Sequence, residues 1–332
     1  MAVLDTARQT AAITEYLPVC LSSLRADTLT RFDVFVQLGP NQPLVLYCER
    51  NIRFTEEARL RLIESRVEEV YVHSSQRHEY SRYLEQHLAE ILQDDRIPPA
   101  DKSEVLYASA YGVIEDLLVS GKTVDAVRRA KEVIRCTVDA LASDKVQLTH
   151  FLDVISFDYH IYTHSVNVAT YSVALAQQVG YSDAATLREL AYGAVFHDVG
   201  KRRIDPSILT SKHKLTSEQW EIVMCHPRWG YDLLRDTGVL GEVALDIVLH
   251  HHEKLHGGGY PDNLQGKQIS PFVRIVTIAD VFDAQTTART FQGARSSFEA
   301  LTVMRREMAQ DLDPELFRAF VKLMGNPGSA AQ

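Results

Sequence analysis

The chain has 332 residues, of which 45% are hydrophobic and 24% charged, so it can bury a substantial core and is long enough for two domains. Its formal net charge of −9 argues against broad binding to nucleic-acid polymers, but it does not exclude a local basic pocket for a small phosphate ligand. The four cysteines are widely spread and form no CxxC pair, which argues against a disulfide framework or a thiolate zinc site and favours a reducing compartment.

The sequence shows no sign of export or membrane insertion. Its first twenty residues lack a basic start followed by an apolar core, and no apolar run approaches the ~20 residues that span a bilayer. We therefore expect a cytoplasmic protein.

The first hundred residues predict a small α/β unit. Short β-like runs occupy residues 32–39, 43–50 and 69–73, and an amphipathic helix is predicted over residues 55–67. The sequence of this unit contains no cluster of catalytic or metal-binding residue types. We therefore assign residues 1–95 to a small regulatory or sensory domain.

The rest of the chain is predicted to be all-α. A Pro-Pro break in residues 93–102 indicates a boundary. We expect a helical linker over residues 96–145, a helical domain over residues 146–325 and a disordered tail over residues 326–332. Capping signals predict helix starts at Thr216 with Gln219, at Ser270 before Pro271 and at Asp313 before Pro314.

The helices predicted between residues 101 and 143 have two interpretations. Apolar residues recur there at helical spacing, at Tyr107, Tyr111, Ile114 and Leu118. They either pair two chains into a homodimer or only cap the helical domain.

Histidines cluster strongly, since nine of the thirteen fall between His160 and His256. His160 and His164 are four residues apart, so on a helix both project from one face and can bind a metal or an anion. The alternative is a pair of solvated or core histidines.

The stretch HDVGK, residues 197–201, closes a mostly apolar run. His197 and Asp198 would diverge by about 100° on a continuing helix. A left-handed turn at Gly200 would let both face one cavity. The alternative is an ordinary polar helix end. His226 is expected in the second half of the helix that begins at Thr216, where a lone histidine is usually structural.

Two later segments add further donors. His250, His251 and His252 follow an apolar run, so at least one of them should point into the domain. Asp280 and Asp283 lie three apart in an otherwise apolar helix, where a carboxylate is costly unless it is paired or binds a cation. Asp280 is the stronger candidate.

The combined donors are imidazoles and carboxylates without a thiolate, which suits iron, manganese or zinc rather than calcium. Their number exceeds what one metal needs. The surplus predicts two metals bridged by a carboxylate, an arrangement that activates water and stabilises a phosphoryl transition state. Cations for phosphate oxygens are offered by Lys201, Arg202, Arg203 and Arg289, although each can equally be an ordinary surface charge.

The order of these motifs resembles the HD-GYP domain family. The motifs are His164, HDVGK, His226 in HPRWG, HHEKLHGGGYP over residues 251–261 and ADVFDAQTTARTF over residues 279–291. The resemblance covers about residues 150–325 and implies an all-α HD-type helical bundle. With the N-terminal α/β domain, the chain is then α+β overall.

The resemblance implies a bacterial, metal-dependent phosphodiesterase that opens the second messenger cyclic di-GMP to pGpG, often onward to GMP. Two alternatives remain open. One is a non-catalytic receptor for a cyclic dinucleotide, and the other is a phosphodiesterase for cyclic GMP-AMP.

Metal ligands carried over by motif position form two sets. One metal, iron or manganese, would be bound by His164, His197, Asp198 and Asp280. The second would be bound by Asp198, His226, His251 and His252, with Asp198 bridging. His160 occupies a position where some family members have a ligand for a third metal.

The family also implies roles for residues beyond the ligands. A bridging water or hydroxide attacks phosphorus, Lys201 neutralises charge on the transition state and Arg289 binds a phosphate. Gly259 and Tyr260 belong to the GYP loop, residues 257–261, which would border the substrate cleft and provide a docking surface for GGDEF-type signalling proteins. Glu253 is expected to orient a ligand histidine.

Four positions depart from the family pattern, the first being His160, where the family has Glu or commonly Tyr. His256 stands where the family has Asp, which puts the support of the GYP loop in question. Phe291 and Gln292 follow Arg289 where the family often has Tyr and a basic residue. We therefore expect a weaker grip on phosphate and an altered preference among cyclic dinucleotides.

Overall fold

The computed structural model describes residues 15–39, 42–119, 123–142, 161–211, 213–287 and 295–325. The chain divides into two compact units, Met1–Gly112 and Val113–Gln332. This division falls inside a helix, Pro99–Val119. The boundaries expected at residues 95 and 145 stay predictions, and the predicted tail lies outside the described residues.

A small antiparallel sheet organises the N-terminal unit. Its described strands are β1 Tyr16–Cys20, β2 Thr28–Leu29, β3 Val34–Gln37, β4 Leu44–Cys48, β5 Arg53–Phe54 and β6 Glu69–His73. The order in the main sheet is β1-β6-β3-β4, with every pair antiparallel, and β2 pairs with β5. The predicted strand runs are therefore confirmed as β3, β4 and β6.

Alternating burial explains why these segments form a sheet with one covered face. Val34 and Val36 of β3 are buried, as are Val70 and Val72 of β6, while the residues between them are more exposed. Two helices complete the unit before the long helix, α1 Glu56–Glu64 and α2 Arg77–Gln93. Of these, α2 contacts β6.

The regular elements in the described part of the second unit are all helices, as predicted. Helix α3, Pro99–Val119, crosses the division between the units. The helices that follow are α4 Thr123–Ala142, α5 Ile161–Gln178, α6 Ala184–Phe196, α7 Pro206–Leu209, α8 Ser217–Met224, α9 His226–Arg235, α10 Glu242–His250, α11 Pro271–Thr286, α12 Ser297–Glu307 and α13 Pro314–Gly325. None of the helices in the described part of the chain is long and apolar enough to cross a bilayer.

Four helices form a closed core around which the rest of the unit packs. Helix α6 packs against α5 and α10, and α11 packs against the same two helices. Aromatic edge contacts join α11 to its neighbours, because the Phe282 ring lies 5.2 Å from Tyr171 of α5 and 5.0 Å from Phe320 of α13. This packing brings the polar residues of α5 and α11 face to face.

The predicted capping signals are confirmed. Thr216 and Gln219 form a capping box at the start of α8. The Ser270 side chain accepts a hydrogen bond from the Val273 backbone N–H at the start of α11. The Asp313 carboxylate likewise accepts hydrogen bonds from backbone N–H groups at the start of α13.

Candidate metal centre

The seven predicted ligands that the structure describes come together in two groups. The first group is His164, His197 and Asp280, and the second is Asp198, His226, His251 and His252. Within each group the candidate ligand atoms all lie within 4.8 Å of one another. The two groups correspond to the two predicted sets, with Asp198 counted once. His160 and Arg289 lie outside the described residues.

Several of these side chains sit at helix ends. His197 directly follows α6, His226 opens α9 and His251 directly follows α10. His164 and Asp280 instead project from within α5 and α11. Helix ends can converge on one cavity while the helices themselves diverge.

The turn after α6 differs from the prediction. Gly200 does not have a positive φ, and a 3₁₀ turn, Val199–Arg203, follows Asp198 instead of a left-handed cap. Glycine is required there for another reason. A Cβ at Gly200 would lie 1.9 Å from the carbonyl oxygen of His226 and 2.6 Å from the backbone nitrogen of Gly230. The missing side chain lets the turn pack directly on α9, which brings Asp198 beside His226.

His226 also differs from its predicted position. The helix that begins after Thr216 ends at Met224, and His226 is the first residue of the next helix, α9. Pro227 explains the break, because a proline is tolerated in the first turn of a helix but interrupts its interior. The break places the fully buried His226 side chain in the second group of candidate ligands.

Asp198 presents one carboxylate oxygen to each group. Its Oδ1 lies 3.2 Å from His226 Nε2 and 3.8 Å from His251 Nε2. Its Oδ2 lies 3.4 Å from His197 Nε2 and 3.7 Å from His164 Nε2. A carboxylate in this position is suited to bridging two cations.

Backbone carbonyls define which nitrogen of three histidines carries the hydrogen. In each, Nδ1 lies within hydrogen-bonding distance of the carbonyl oxygen three residues earlier: His197 to Ala194 at 2.7 Å, His226 to Val223 at 2.6 Å and His251 to Val248 at 3.0 Å. A carbonyl only accepts, so each Nδ1 must donate. With Nδ1 as the donor, Nε2 of each ring is the nitrogen whose lone pair can bind a cation.

These lone pairs need a cation. His226 Nε2 and His251 Nε2 are 3.3 Å apart, and two lone pairs at that separation repel each other. His197 Nε2 and Asp198 Oδ1 are buried and have no hydrogen-bond partner among the described residues. Buried acceptors without donors are costly unless an ion satisfies them. The donor set of nitrogen and carboxylate oxygen therefore fits divalent transition metals.

Asp283 orients His164. Its Oδ2 lies 2.7 Å from His164 Nδ1, and its Oδ1 accepts a hydrogen bond from the Asn167 amide at 2.8 Å. On the other side of the ring, His164 Nε2 lies 3.1 Å from Asp280 Oδ1. Burial alone would lower the pKa of His164, but the hydrogen bonds to Asp280 and Asp283 raise it to about 10. Metal uptake must therefore displace the proton on Nε2.

Sequence reasoning ranked Asp283 below Asp280 and missed Asn167 altogether. The available signal was weak. Asn167 is one of several buried polar residues of α5 and lies one helical turn after His164. Such a residue needs a buried partner, but the sequence does not identify which one.

The surroundings keep the carboxylate charged and two imidazoles neutral. Burial would raise the pKa of Asp198, but the Lys201 ammonium, 2.5 Å from Asp198 Oδ2, is the largest of the charges that hold it well below its usual range. Burial lowers the pKa of His252 to about 3 and that of His251 well below its ordinary value. These protonation states are the ones that metal ligands require.

Tyr260 covers part of the second group. Its ring centroid lies 4.7 Å from that of His252, with the two planes tilted by 31°. Burial raises the pKa of the Tyr260 hydroxyl above its ordinary value, so the group stays protonated at neutral pH. A neutral hydroxyl beside the centre can donate a hydrogen bond to a bound anion.

Glu253 supports the GYP loop rather than a ligand histidine, which corrects the expected role. The buried carboxylate accepts hydrogen bonds from the backbone N–H groups of Asp262 at 2.7 Å and Leu264 at 3.0 Å. Gly259 packs against this residue, because a Cβ there would lie 2.5 Å from Glu253 Cα. The GYP loop therefore folds back onto Glu253, the residue that follows the candidate ligands His251 and His252.

His256, the departure from the family pattern, contacts a carboxylate from a distant part of the chain. Its Nδ1 lies 2.9 Å from Asp311 Oδ1, and Lys254 Nζ lies 3.1 Å from Asp311 Oδ2. The Leu255 backbone also donates to the Asp311 carbonyl. This contact supports the start of the GYP loop.

Comparison with known proteins identifies the family. The chain matches the HD domain family over residues 142–316, just over half of its length, and it belongs to that family. It is 33% identical over 205 residues to cyclic di-GMP phosphodiesterase PA4108 of Pseudomonas aeruginosa, an alignment that covers 62% of this chain and 49% of the relative. The predicted resemblance to HD-GYP proteins is thereby confirmed.

Two further relatives extend the comparison. The 3'3'-cGAMP-specific phosphodiesterase 3 of Vibrio cholerae is 35% identical over 161 residues, 48% of this chain and 35% of the relative. The response regulator RpfG of Xanthomonas campestris, a cyclic di-GMP phosphodiesterase, is 36% identical over 149 residues, 45% of this chain and 39% of the relative. The chain thus spans half or less of these relatives.

The structure of Bd1817, an HDG"Y"P protein from Bdellovibrio bacteriovorus, is similar to almost the whole chain. It has a TM-score of 0.66 at 23% identity and covers 93% of this chain and 99% of its own. At that identity the likeness shows a shared fold.

Proposed function

We propose that the protein is a metal-dependent phosphodiesterase that hydrolyses a cyclic dinucleotide, cyclic di-GMP in the first place, to pGpG or GMP. The observation that carries this proposal is the position of Asp198, which turns one carboxylate oxygen toward the imidazole nitrogens of each of the two groups. The family membership and the names of the relatives support the same activity. A bacterial, cytoplasmic location is part of the proposal.

The proposed cofactors are two divalent ions, iron or manganese. His164, His197 and Asp280 would bind one, His226, His251 and His252 the other, and Asp198 would contact both. Ions in these positions would activate a water for attack on phosphorus and stabilise charge on the phosphoryl oxygens. A third ion at His160 remains a prediction.

A few residues outside the two ligand groups would bind and orient the substrate. Lys201 is part-buried beside Asp198, where its ammonium group can neutralise a phosphate oxygen that approaches the centre. Tyr260 stays protonated and can donate a hydrogen bond to the same group. Gly259 shapes the GYP loop through its contact with Glu253. Arg289 is proposed as a second phosphate ligand from the sequence alone.

Cyclic GMP-AMP is the second candidate substrate. A metal centre that acts on a phosphodiester does not distinguish bases, and one relative is named as a 3'3'-cGAMP-specific phosphodiesterase. Base preference must therefore come from residues outside the metal centre.

Turnover assays test the proposal directly. The protein loaded with iron or manganese is incubated separately with cyclic di-GMP and with 3'3'-cGAMP, and linear products are quantified by chromatography. We expect hydrolysis of at least one substrate, with cyclic di-GMP preferred. The variant Asp198→Ala should lose more than about 100-fold in rate, while Glu307→Gln, an exposed control on α12, should match the wild type.

Saturable binding of a cyclic dinucleotide without product from the metal-loaded wild type would contradict hydrolysis and support the receptor alternative. The sensory role of the N-terminal unit, the homodimer and docking of GGDEF-type proteins at the GYP loop stay predictions.

A further inference from the structure

Asp262, the residue after the GYP loop, is bound by side chains from two helices. Its Oδ1 accepts a hydrogen bond from the Arg228 guanidinium of α9 at 3.0 Å. Its Oδ2 lies 3.0 Å from Nε2 of His250, the last residue of α10. The other nitrogen of the same imidazole, Nδ1, lies 2.6 Å from Asp246 Oδ1. The ring is therefore held at both ends, and none of these residues belongs to the two ligand groups.

The backbone of Asp262 is held as well. Its N–H donates to the buried Glu253 carboxylate at 2.7 Å. The GYP loop is thus tied down where it leaves the metal centre, two residues after Tyr260, whose ring stacks on His252. Without such ties the segment would be flexible, because Gly257 and Gly258 both have positive φ and glycine has wide conformational freedom.

We infer that Arg228, His250 and Asp262, here called the Asp262 clasp, hold the GYP loop in position over the metal centre and so set the affinity for substrate. The effect on substrate rests on the proposed function. These are positioning residues, because they act on the loop and through it on Tyr260. Exposed ion pairs contribute little to global stability, so the clasp should affect the order of the loop far more than the melting temperature.

Asp262→Ala removes the clasp and keeps the backbone contact to Glu253. Asp236→Ala is a matched control, because Asp236 forms a similarly exposed pair with Arg235 at the end of α9, 2.9 Å apart. Hydrogen exchange of the amides in residues 257–264 is measured on the metal-loaded proteins, together with metal content and melting temperature. We expect several-fold faster exchange in Asp262→Ala, wild-type exchange in Asp236→Ala and unchanged metal content in both.

Kinetics then test the link to substrate. Asp262→Ala should raise KM for the cyclic dinucleotide about three- to tenfold and leave kcat within about twofold, the scale of a lost exposed ion pair. Arg228→Gln should raise KM less, and the double variant should resemble Asp262→Ala alone, because both changes open the same clasp.

Two results would overturn the clasp. One is unchanged exchange in residues 257–264 of Asp262→Ala. The other is additive KM effects in the double variant, which would mean that Arg228 contacts the substrate itself. A wild-type protein that hydrolyses no cyclic dinucleotide would refute the proposed function, and the exchange data would still decide whether the clasp orders the loop.

Discussion

Asp283 determines how His164 is presented to the metal centre. The carboxylate is fixed by a hydrogen bond from Asn167, and it holds the Nδ1 side of the ring, so the ring cannot rotate without breaking its buried hydrogen bond to Asp283. Carboxylates that orient ligand histidines in this way also make the histidine a stronger donor.

Asp283→Asn should therefore weaken metal binding about 10- to 100-fold, because the amide can no longer offer two acceptor oxygens to His164 and Asn167. The measurement is a competition titration with a chelator that absorbs in the visible range. Asp236→Asn is the control for loss of a carboxylate. Equal affinity in Asp283→Asn and the wild type would mean that His164 does not depend on this contact.

Gly200 is the second residue with a defined structural requirement. Gly200→Ala would place a methyl group 1.9 Å from the His226 carbonyl oxygen, so the turn and α9 must separate. We expect a loss of about 3 kcal/mol in the free energy of unfolding, measured by urea denaturation. Gly325→Ala, at the end of α13 where a Cβ meets nothing within 4 Å, should change stability by no more than about 0.5 kcal/mol.

At the scale of elements, features with a local sequence signal could be predicted, and side-chain contacts between distant parts of the chain could not. Strands β3, β4 and β6, the capped helix starts and the two ligand groups follow from periodicity, capping residues and motif order, whereas β1, β2 and β5 were not predicted. The pairing of His164 with Asp283 joins residues 119 apart in the chain, and Arg228 and Asp262 are 34 apart. No local pattern specifies such partners. The helix break at His226 was missed although Pro227 signals it.

Glu253 links the end of α10 to the GYP loop that follows it. Glu253→Gln should cost about 1–3 kcal/mol of stability, because the amide side chain has one acceptor oxygen for the two backbone N–H groups of Asp262 and Leu264. Urea denaturation measures the loss, and Glu307→Gln on the surface of α12 is the control. A neutral result for Glu253→Gln would show that the loop does not need both hydrogen bonds.

At the scale of the whole molecule, the metal centre joins the elements that form the helical core. Its ligands come from α5, the end of α6, the start of α9, the end of α10 and α11. In the absence of ions, facing lone pairs and buried acceptors oppose that convergence. Ions that bind only the folded chain must therefore stabilise it.

Manganese at about 100 times its dissociation constant should raise the free energy of unfolding by about 2.7 kcal/mol for each bound ion, about 5.4 kcal/mol for two, over the chelator-treated protein. Urea denaturation with and without the ion measures the difference. Calcium should stabilise much less, because it prefers six to eight oxygen ligands. Asp198→Ala should abolish most of the manganese effect, and an equal gain in that variant would contradict a role for Asp198 in binding the ions.

The position of the ions is the most direct test of the central claim. Crystals of the manganese-loaded protein can be measured at the metal absorption edge, where anomalous scattering locates each ion. We predict two peaks about 3.5–4 Å apart, one beside His164, His197 and Asp280, the other beside His226, His251 and His252, and both in contact with Asp198. A single peak, or peaks away from these side chains, would contradict the account.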